Sequence, residues 1–406
     1  MSYPRFIREQ PIEASFGFGT TLCTSFGQTY FISLFVPALV GILPISIGQF
    51  GSIYAAGTLL GAVLLPFFAA HYDSTPLAPY TRRVFWGLGA ASLLLATTVH
   101  PLMLLFAIAG LRLGAPGLTT HISNTTMAKG FAKRRGIALG FSSLGYPTGE
   151  AILPPLTAAL LLFVDWRLIW VGVAILYLFA LPAAATWLIN RARFSTFVAP
   201  DFESAKPSAR RNLGRAFKLM TTDRRFWWLL PVQMLLPMLM TAAFLYQAAI
   251  AESKGWSTSF MASLFTVFAL SKAITALISG HRIDRVGAIR LVGWVAMPAA
   301  AGFIILAWSN HPAAAIAFFA LVGLTGGSAG NVLTSIWAEI YGTKQLGAIK
   351  GLTSSLAVIS SALGPAIAGL LIQLEVGFTP MLTGFGILIA LGAICAQNAA
   401  RISVGN

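Results

Sequence analysis

The chain has 406 residues, of which 57% are hydrophobic and only 10% are charged, and its mean hydropathy is +0.78. A soluble domain carries about 25% charged residues, so these few charges cannot cover a water-exposed surface, which argues against a soluble enzyme. The apolar residues come in unbroken blocks, which favours membrane-spanning helices over the alternating pattern of a β-barrel.

Apolar runs between polar breaks predict twelve transmembrane helices, since one span needs about 20 apolar residues. In chain order they are residues 14–40, 46–70, 84–100, 102–127, 136–163, 166–190, 226–250, 257–281, 289–309, 312–340, 347–373 and 378–400. The longest polar break lies in the middle of the chain. We therefore predict an N-terminal six-helix bundle at 1–190, a cytoplasmic linker loop at 191–225 and a C-terminal six-helix bundle at 226–406.

The basic residues indicate the orientation, because Lys and Arg concentrate in cytoplasmic loops. With both termini in the cytoplasm, 23 of the 27 Lys and Arg residues lie on the cytoplasmic side of the predicted spans. We therefore expect a multi-pass protein of the inner or plasma membrane with cytoplasmic termini. The net charge of +15 is then explained by topology and by attraction to anionic lipid, and no nucleic-acid partner is expected.

An internal repeat divides the spans into two sets of six. Three sets of matching residues are 211 positions apart: His100-Pro101 with His311-Pro312, Asp73 with Asp284, and Gly136 and Gly140 with Gly347 and Gly351. A fourth pair, Gly110-Leu111 and Gly323-Leu324, is 213 positions apart. Such parallel repeats are typical of secondary transporters.

The loop between spans eight and nine reads Gly280-His281-Arg282-Ile283-Asp284-Arg285-Val286-Gly287-Ala288-Ile289-Arg290. It resembles the Gly-x-x-x-Asp-Arg-x-Gly-x-x-Arg loop of the major facilitator superfamily, whereas the first-half copy keeps only Asp73. The resemblance implies an all-α membrane fold of twelve helices in two bundles, related by a pseudo-twofold axis along the membrane normal. It also implies a gate latch that stabilises an outward-open state, for which we predict the residues Asp284, Arg282, Arg285, Glu339 and Asp73. Within this latch, Asp284 is expected to accept backbone N–H groups at a helix N-terminus.

A second stretch points to one branch of that superfamily. Trp337-Ala338-Glu339-Ile340-Tyr341-Gly342, followed by Gly347-Ala348-Ile349-Lys350-Gly351, resembles the monocarboxylate and oxalate/formate transporters. Those relatives usually combine an acid and an arginine in span eight, whereas this span carries Lys272 as its only charge near mid-depth. A single cation there is more similar to the organic-anion exchangers.

Three ionisable residues lie near the middle of predicted spans, where a charge costs several kcal/mol unless it has a function or a partner. They are Arg112 in span four, Glu150 in span five and Lys272 in span eight. Two cations and one acid leave an excess charge of +1, which favours an anionic substrate bound by Arg112 and Lys272. Glu150 is the candidate for proton coupling. Alternatively, Arg112 and Glu150 form a structural ion pair.

Neutral polar residues in the spans complete the predicted site. Gln28, Tyr30, Tyr146, Gln247 and Asn331 could hydrogen-bond a carboxylate, or could equally bond helix to helix. No His, Cys or Asp residues share the spacing of metal ligands at depth, so we expect no metal and no cofactor.

The sequence therefore predicts a secondary active transporter, and not an enzyme, because no nucleophile or metal set appears among its spans. We expect it to move a small monocarboxylate-like organic anion by alternating access, coupled to protons or to a counter-anion. We expect it to function as a monomer in lipid. The alternative is an efflux pump for amphipathic drugs or metabolites, which would need a large cavity lined by aromatic side chains.

Overall fold

The computed structural model describes residues 3–72, 74–131, 134–192, 206–342 and 346–404, and all regular secondary structure in these ranges is helical. The chain forms two compact units, Met1–Pro200 and Asp201–Asn406. The boundary between these units lies inside the predicted linker at 191–225.

The N-terminal unit contains twelve α-helical segments. They are α1 (Tyr3–Glu9), α2 (Pro11–Cys23), α3 (Thr29–Ile32), α4 (Val36–Ile42), α5 (Ile47–Ala70), α6 (Leu77–Ala96), α7 (Pro101–Arg112), α8 (Thr120–Gly130), α9 (Arg135–Ser143), α10 (Gly145–Leu160), α11 (Trp166–Ile175) and α12 (Leu181–Arg191). Short 3₁₀ helices at Thr24–Gly27 and Ser33–Phe35 connect α2, α3 and α4, and π-helices at Leu113–Thr119 and Leu176–Ala180 join α7 to α8 and α11 to α12.

The described residues of the C-terminal unit form eight α-helices, most of them longer than those of the N-terminal unit. They are α13 (Lys206–Thr222), α14 (Arg224–Leu245), α15 (Gln247–Ser253), α16 (Thr258–Val286), α17 (Ala288–Trp308), α18 (Pro312–Tyr341), α19 (Leu346–Gln373) and α20 (Phe378–Val404). Part of the predicted linker is therefore helical, because α13 lies within it. This helix packs against α19 and buries Ala216 and Met220.

Within the described ranges, nine continuous helical segments are long and apolar enough to cross a membrane, and a bent pair of helices forms a tenth candidate. The other two predicted spans correspond to α6 and to α9 followed by α10. The predicted all-α fold is confirmed. Two helices extend beyond the predicted spans: α6 begins at Leu77 instead of 84, so Arg82 and Arg83 lie in its second turn, and α16 ends at Val286 instead of 281.

The internal repeat coincides with equivalent helix starts. His100 and His311 cap α7 and α18, where each imidazole accepts the backbone N–H two residues later at 3.2 Å and Pro follows at the first helical position. Ser46 and Ser257 likewise cap α5 and α16. A capping residue followed by Pro starts a helix at a defined position. The repeated His-Pro dipeptide therefore marks the start of a helix in both halves.

The first span is broken in its middle. The segments Pro11–Gly27 and Thr29–Ile42 meet at 45°, and Gln28 between them is extended, with φ −82° and ψ 154°. A break of this kind leaves backbone carbonyls at the end of the first segment without intrahelical partners, and a hydrocarbon environment supplies none. Some other group in the protein must therefore bond them.

Small residues bring the helix backbones close together inside each half. Gly57 and Gly61 of α5 lie against α7, and Gly145 and Gly149 of α10 lie against the first span. In the C-terminal half, Gly327 of α18 lies against the backbone of α16 at Lys272 and Ala276. Contacts of this type are a principal source of helix association in membranes, where lipid provides no hydrophobic driving force.

A lysine beyond the end of α15 caps α17. The Lys254 ammonium donates to the carbonyl oxygens of Ala307 at 3.3 Å and Ser309 at 3.1 Å, and to Asn310 Oδ1 at 3.1 Å. A cation at a helix C-terminus interacts favourably with the helix dipole. Partial burial lowers the pKa of this ammonium.

Replacing Gly327 by Ala should destabilise the protein, because the new Cβ would lie within 3.0 Å of the α16 backbone, which cannot rotate away. Overpacking of this kind costs about 1–3 kcal/mol. The matched control is Gly330→Ala on the same helix, where a Cβ meets nothing within 4 Å. Thermal unfolding in detergent should show a lower transition temperature for Gly327→Ala and an unchanged or higher one for Gly330→Ala. Equal transitions would contradict the close packing of α16 and α18.

Candidate functional site

Arg112 lies where α7 changes its helical winding. It is the last residue of α7, and the next seven residues, Leu113–Thr119, form a π-helix that contains Pro116. A proline inside a helix removes one backbone donor, and the widened turn accommodates the change. π-Helical turns are frequent at functional sites.

The Arg112 guanidinium bonds to the broken first span. Its Nη1 donates to the Gly27 carbonyl oxygen at 3.2 Å, and its Cζ lies 5.8 Å from the centroid of the Tyr54 ring. The Tyr54 hydroxyl shares a 2.7 Å hydrogen bond with Thr29 Oγ1, on the far side of the break. Arg112 therefore contacts the carbonyl exposed at the end of the first segment, where the helix dipole is negative.

One donor of this guanidinium is unused. Arg112 Nε is buried and has no hydrogen-bond partner in the part of the chain that the structure describes. A buried donor without a partner costs about 1–3 kcal/mol, which a ligand with an acceptor oxygen would recover. Both recorded contacts of Arg112 are with neutral groups, so the structural pairing with Glu150 stays a prediction.

Glu150 lies on α10, which packs against α3, the helix that carries Tyr30. Glu150 follows Gly149, whose missing side chain lets α10 approach Ser25 of the first span, and only 8% of Glu150 is exposed. Its charge acts on the Tyr30 side chain, which is also buried. The structure thus packs the helix of the predicted proton-coupling residue against the helix of one predicted substrate-binding residue.

Lys272 lies in the middle of α16, beside a glycine-rich face of α18. Its backbone contacts Gly323 and Gly327, and its Cδ lies near Gly326. Its Nζ is 5.3 Å from the centroid of the Phe268 ring, at the distance of a cation–π interaction. The close approach of α18 thus places this half-buried cation against a helix surface without large side chains.

The two cations lie on equivalent pairs of helices, α5 with α7 and α16 with α18. Arg112 is on the second helix of its pair, whereas Lys272 is on the first helix of its pair. Arg112 and Gly323 are each the twelfth residue of their helices, α7 and α18, and Gly61 and Lys272 are each the fifteenth of α5 and α16. In both halves the cation and the glycine are in contact across the pair. Among the described residues, each half therefore has a half-buried cation at this crossing, and the glycine opposite lets the two helix backbones approach closely.

A cavity of about 270 Å³ in the C-terminal half contains a polar residue that sequence reasoning missed. Gln233 of α14 is buried in its wall together with Thr325, Gly326 and Ala357, and Gln233 Oε1 has no hydrogen-bond partner among the described residues. A Gln in an otherwise apolar span is a signal that could have revealed it. Tyr54 was missed as well, because a single Tyr in a span resembles ordinary packing.

The remaining predicted substrate-binding residues are scattered. Gln28 lies at the break in the first span, and Gln247 is buried at the start of α15. The Tyr146 hydroxyl donates to Thr120 Oγ1 at 3.2 Å. The Asn331 amide nitrogen donates at 2.8 Å both to the Ala276 carbonyl and to Ser279 Oγ, so this group joins α18 to α16. Their roles in binding stay predictions.

The predicted gate loop has a different geometry from the one expected. Asp284 lies inside the last turn of α16 and is exposed, so it does not cap the next helix. Instead, the Glu339 carboxylate accepts the backbone N–H groups of Ala288 at 2.7 Å and Ile289 at 3.3 Å. The chain can turn between the helices because Gly287 adopts a φ of +87°, which other residues rarely tolerate. Arg282 and Arg285 are exposed, and Asp73 lies outside the described residues.

Replacing Glu339 by Ala should lower the stability of the protein by about 1 kcal/mol, because the first turn of α17 loses its cap and a favourable charge. Replacing Asp284 by Ala is the matched control. A carboxylate at a helix C-terminus opposes the dipole, so this variant should be as stable as the parent or slightly more stable. Thermal unfolding compares the two, and a loss confined to Asp284→Ala would contradict the assignment.

A family model for the Major Facilitator Superfamily matches the chain twice, over residues 17–257 and 234–400. Two solved structures of a bacterial homologue of the human lysosomal transporter Spinster, inward-facing in its unoccupied and occupied conformations, have TM-scores of 0.74 and 0.73. Both are 16% identical and cover 97% and 96% of this chain and 98% and 96% of theirs. A variant of the nucleoside transporter NupG has a TM-score of 0.74 at 13% identity, with 96% of this chain and 99% of that chain covered.

No curated protein matched the sequence. At these identities the structural similarities show the fold alone, whereas the family model covers most of the sequence in two copies. The repeated all-α architecture and this double match lead to one conclusion: the chain belongs to the Major Facilitator Superfamily and is a multi-pass membrane transporter.

Proposed function

We propose that this transporter moves a small organic anion, of the monocarboxylate type, across the cell membrane by alternating access. The observation that carries the proposal is the buried Nε donor of Arg112, which has no partner among the described residues. A carboxylate that accepts from an arginine forms a short, charge-assisted hydrogen bond, and this is the ligand that such a donor favours.

The depth of both cations supports the same substrate class. Arg112 is the twelfth residue of the apolar segment Pro101–Gly130, and Lys272 is the fifteenth of Thr258–Val286. At about 1.5 Å per residue, each lies roughly 17–22 Å from the start of its segment, far from either end. Cations at such depth are costly in a membrane and mark ligand or ion pathways.

The glycine contacts explain how the protein tolerates these cations. Gly61 and Gly323 lie against the neighbouring helices at Arg112 and Lys272, so each cation is held at a tight helix crossing. An anionic ligand would then bind groups that are already held in place, which reduces the ordering cost of binding. The sequence resemblance to the monocarboxylate and oxalate/formate branch agrees with this substrate class.

Glu150 is the proposed coupling residue. It is buried on α10, which packs against the helix of Tyr30, and a buried carboxylate changes its proton affinity when a charge arrives nearby. If the substrate anion binds in the same half, its negative charge favours protonation of Glu150, which links anion and proton movement. Exchange for a counter-anion is the other coupling mode within this proposal.

The proposed gate latch at the C-terminal end of α16 belongs to the same cycle. Because Asp284 is exposed and does not cap α17, substitutions there should leave the folded protein intact. A change in transport rate in such a variant would therefore report on gating instead of on stability.

Arg112→Gln should abolish anion counterflow in proteoliposomes loaded with lactate, formate, oxalate or an aromatic acid. The loss of a hydrogen bond to a charged group predicts at least about a tenfold lower rate. Arg112→Lys should restore it only in part, since an ammonium cannot bond Gly27 and also provide the Nε donor. The matched control is Arg167→Gln, which removes an arginine that stacks on Trp166 at 4.6 Å. If the parent protein moves amphipathic drugs and no anion, the proposal is wrong.

Glu150→Gln should keep counterflow but lose uptake driven by a pH gradient, because the glutamine cannot exchange a proton. One coupled proton supplies about 1.4 kcal/mol, or roughly tenfold accumulation, per pH unit. Glu13→Gln is the control, since Glu13 is also buried in this half but lies near the start of α2. Unchanged pH-driven uptake in Glu150→Gln would remove Glu150 from the coupling step.

A further inference from the structure

The N-terminal half contains a second cavity, of about 400 Å³, that none of the proposed substrate-binding residues lines. It lies between the inner end of α5, α6 and the junction of α7 with its π-helix. Its deep wall is apolar and consists of Leu88, Gly110, Leu113, Gly114 and Leu118. Small-molecule sites have volumes of about 300–1,000 Å³, so this cavity is large enough for a ligand.

The rim of the cavity has the opposite character. His71, Tyr80 and Arg83 lie there, and no acidic side chain lines the cavity among the described residues. The Tyr80 hydroxyl donates to the Phe68 carbonyl at 3.0 Å, and His71 Nδ1 bonds the Phe67 carbonyl at 2.8 Å. These bonds hold the rim in place, whereas the Arg83 side chain is exposed.

The cavity follows α6 into the membrane. Its lining on this helix extends from Tyr80 to Leu88, eight residues or about 12 Å along the axis. One leaflet of a bilayer has a hydrocarbon depth of about 15 Å. According to the charge distribution, the rim is on the cytoplasmic side, at the level of the lipid headgroups, and Phe68 and Arg83 are exposed there.

We propose that this cavity is a binding site for an anionic phospholipid of the cytoplasmic leaflet. One acyl chain fills the apolar part, and Arg83 with His71 binds the headgroup phosphate. Three features favour an amphiphile with a charged head and an apolar tail: the apolar depth, the matching length, and a rim on which the described lining residues include Arg83 and His71 but no acid. Because Leu113 and Gly114 follow Arg112 directly, a bound lipid would contact the π-helix that begins after this residue.

A neighbouring groove provides a contrast for the experiment. Arg82 precedes Arg83 on α6 but lies over the Trp86 ring at 5.2 Å, and it lines a separate groove with Leu178 and Trp187. The two adjacent arginines therefore belong to different surfaces. Replacing either Arg82 or Arg83 by Gln therefore removes the same charge at nearly the same depth of α6.

The test uses the full-length protein in nanodiscs of phosphatidylcholine with phosphatidylglycerol that carries a photoreactive diazirine near the end of one acyl chain. After illumination, mass spectrometry of peptides should locate crosslinks at residues 84–88 and 110–118. Arg83→Gln should reduce these crosslinks about fivefold, the effect expected when one arginine near anionic lipid is lost. Arg82→Gln should leave them unchanged.

A cavity-filling variant tests the apolar part independently. A Cβ at Gly87 meets nothing within 4 Å, so Gly87→Leu should fold and occupy the cavity. Gly172→Leu, at an equally open glycine on α11, is its control. Crosslinks should decrease in Gly87→Leu and persist in Gly172→Leu. Equal labelling in all variants would overturn the proposal. It would also be overturned if decanoate, but not unlabelled phosphatidylglycerol, displaced the crosslinks, because the cavity would then bind a soluble amphiphile.

Discussion

The arrangement of the N-terminal half depends on one constraint: a backbone broken inside a membrane must find hydrogen-bond partners in the protein. The first span is broken at Gln28, and the Gly27 carbonyl at the end of its first segment accepts from Arg112. The same arginine lies over Tyr54, whose hydroxyl bonds Thr29 beyond the break. The break and the cation therefore stabilise each other, and within the part of the chain that the structure describes the buried Nε of this cation has no hydrogen-bond partner.

Glycine has the complementary role in this design. At each crossing that carries a cation, the opposite helix has a glycine at the same level, and the absence of a side chain there lets the two backbones approach closely. The N-terminal half places Gly61 against Arg112, and the C-terminal half places Lys272 against Gly323. The close helix crossing is therefore present in both halves, whereas the cation and the glycine have changed places between the equivalent helices. A repeat that preserves local packing can thus change which helix carries the charge.

Helix capping explains where the repeat is visible and where prediction failed. The paired His-Pro dipeptides cap α7 and α18 by the same hydrogen bond, so local chemistry preserved them in both halves. The gate loop differs, because its helix start is capped from a distant part of the chain. Glu339 is about fifty residues from the backbone groups that it accepts, and no local pattern distinguishes it from Asp284, which is much closer in sequence.

The sequence by itself indicated that the protein lies in a membrane, because its composition leaves too few charges for a water-exposed surface. The predicted number of spans, their orientation and the depth of Arg112, Glu150 and Lys272 followed from the apolar runs, the basic residues and the fixed rise per residue. The sequence also indicated the superfamily through one loop motif. Only the tertiary structure decided which groups lie around these residues: Gly27 and Tyr54 for Arg112, the first span for the helix turn that carries Glu150, and the glycines of α18 for Lys272. The tertiary structure likewise revealed that Gln233 lies in the wall of one cavity, and it revealed the second cavity beside α6. Such contacts join residues far apart in the chain, and the helix crossings that create them depend on backbone distances that a hydropathy pattern does not contain.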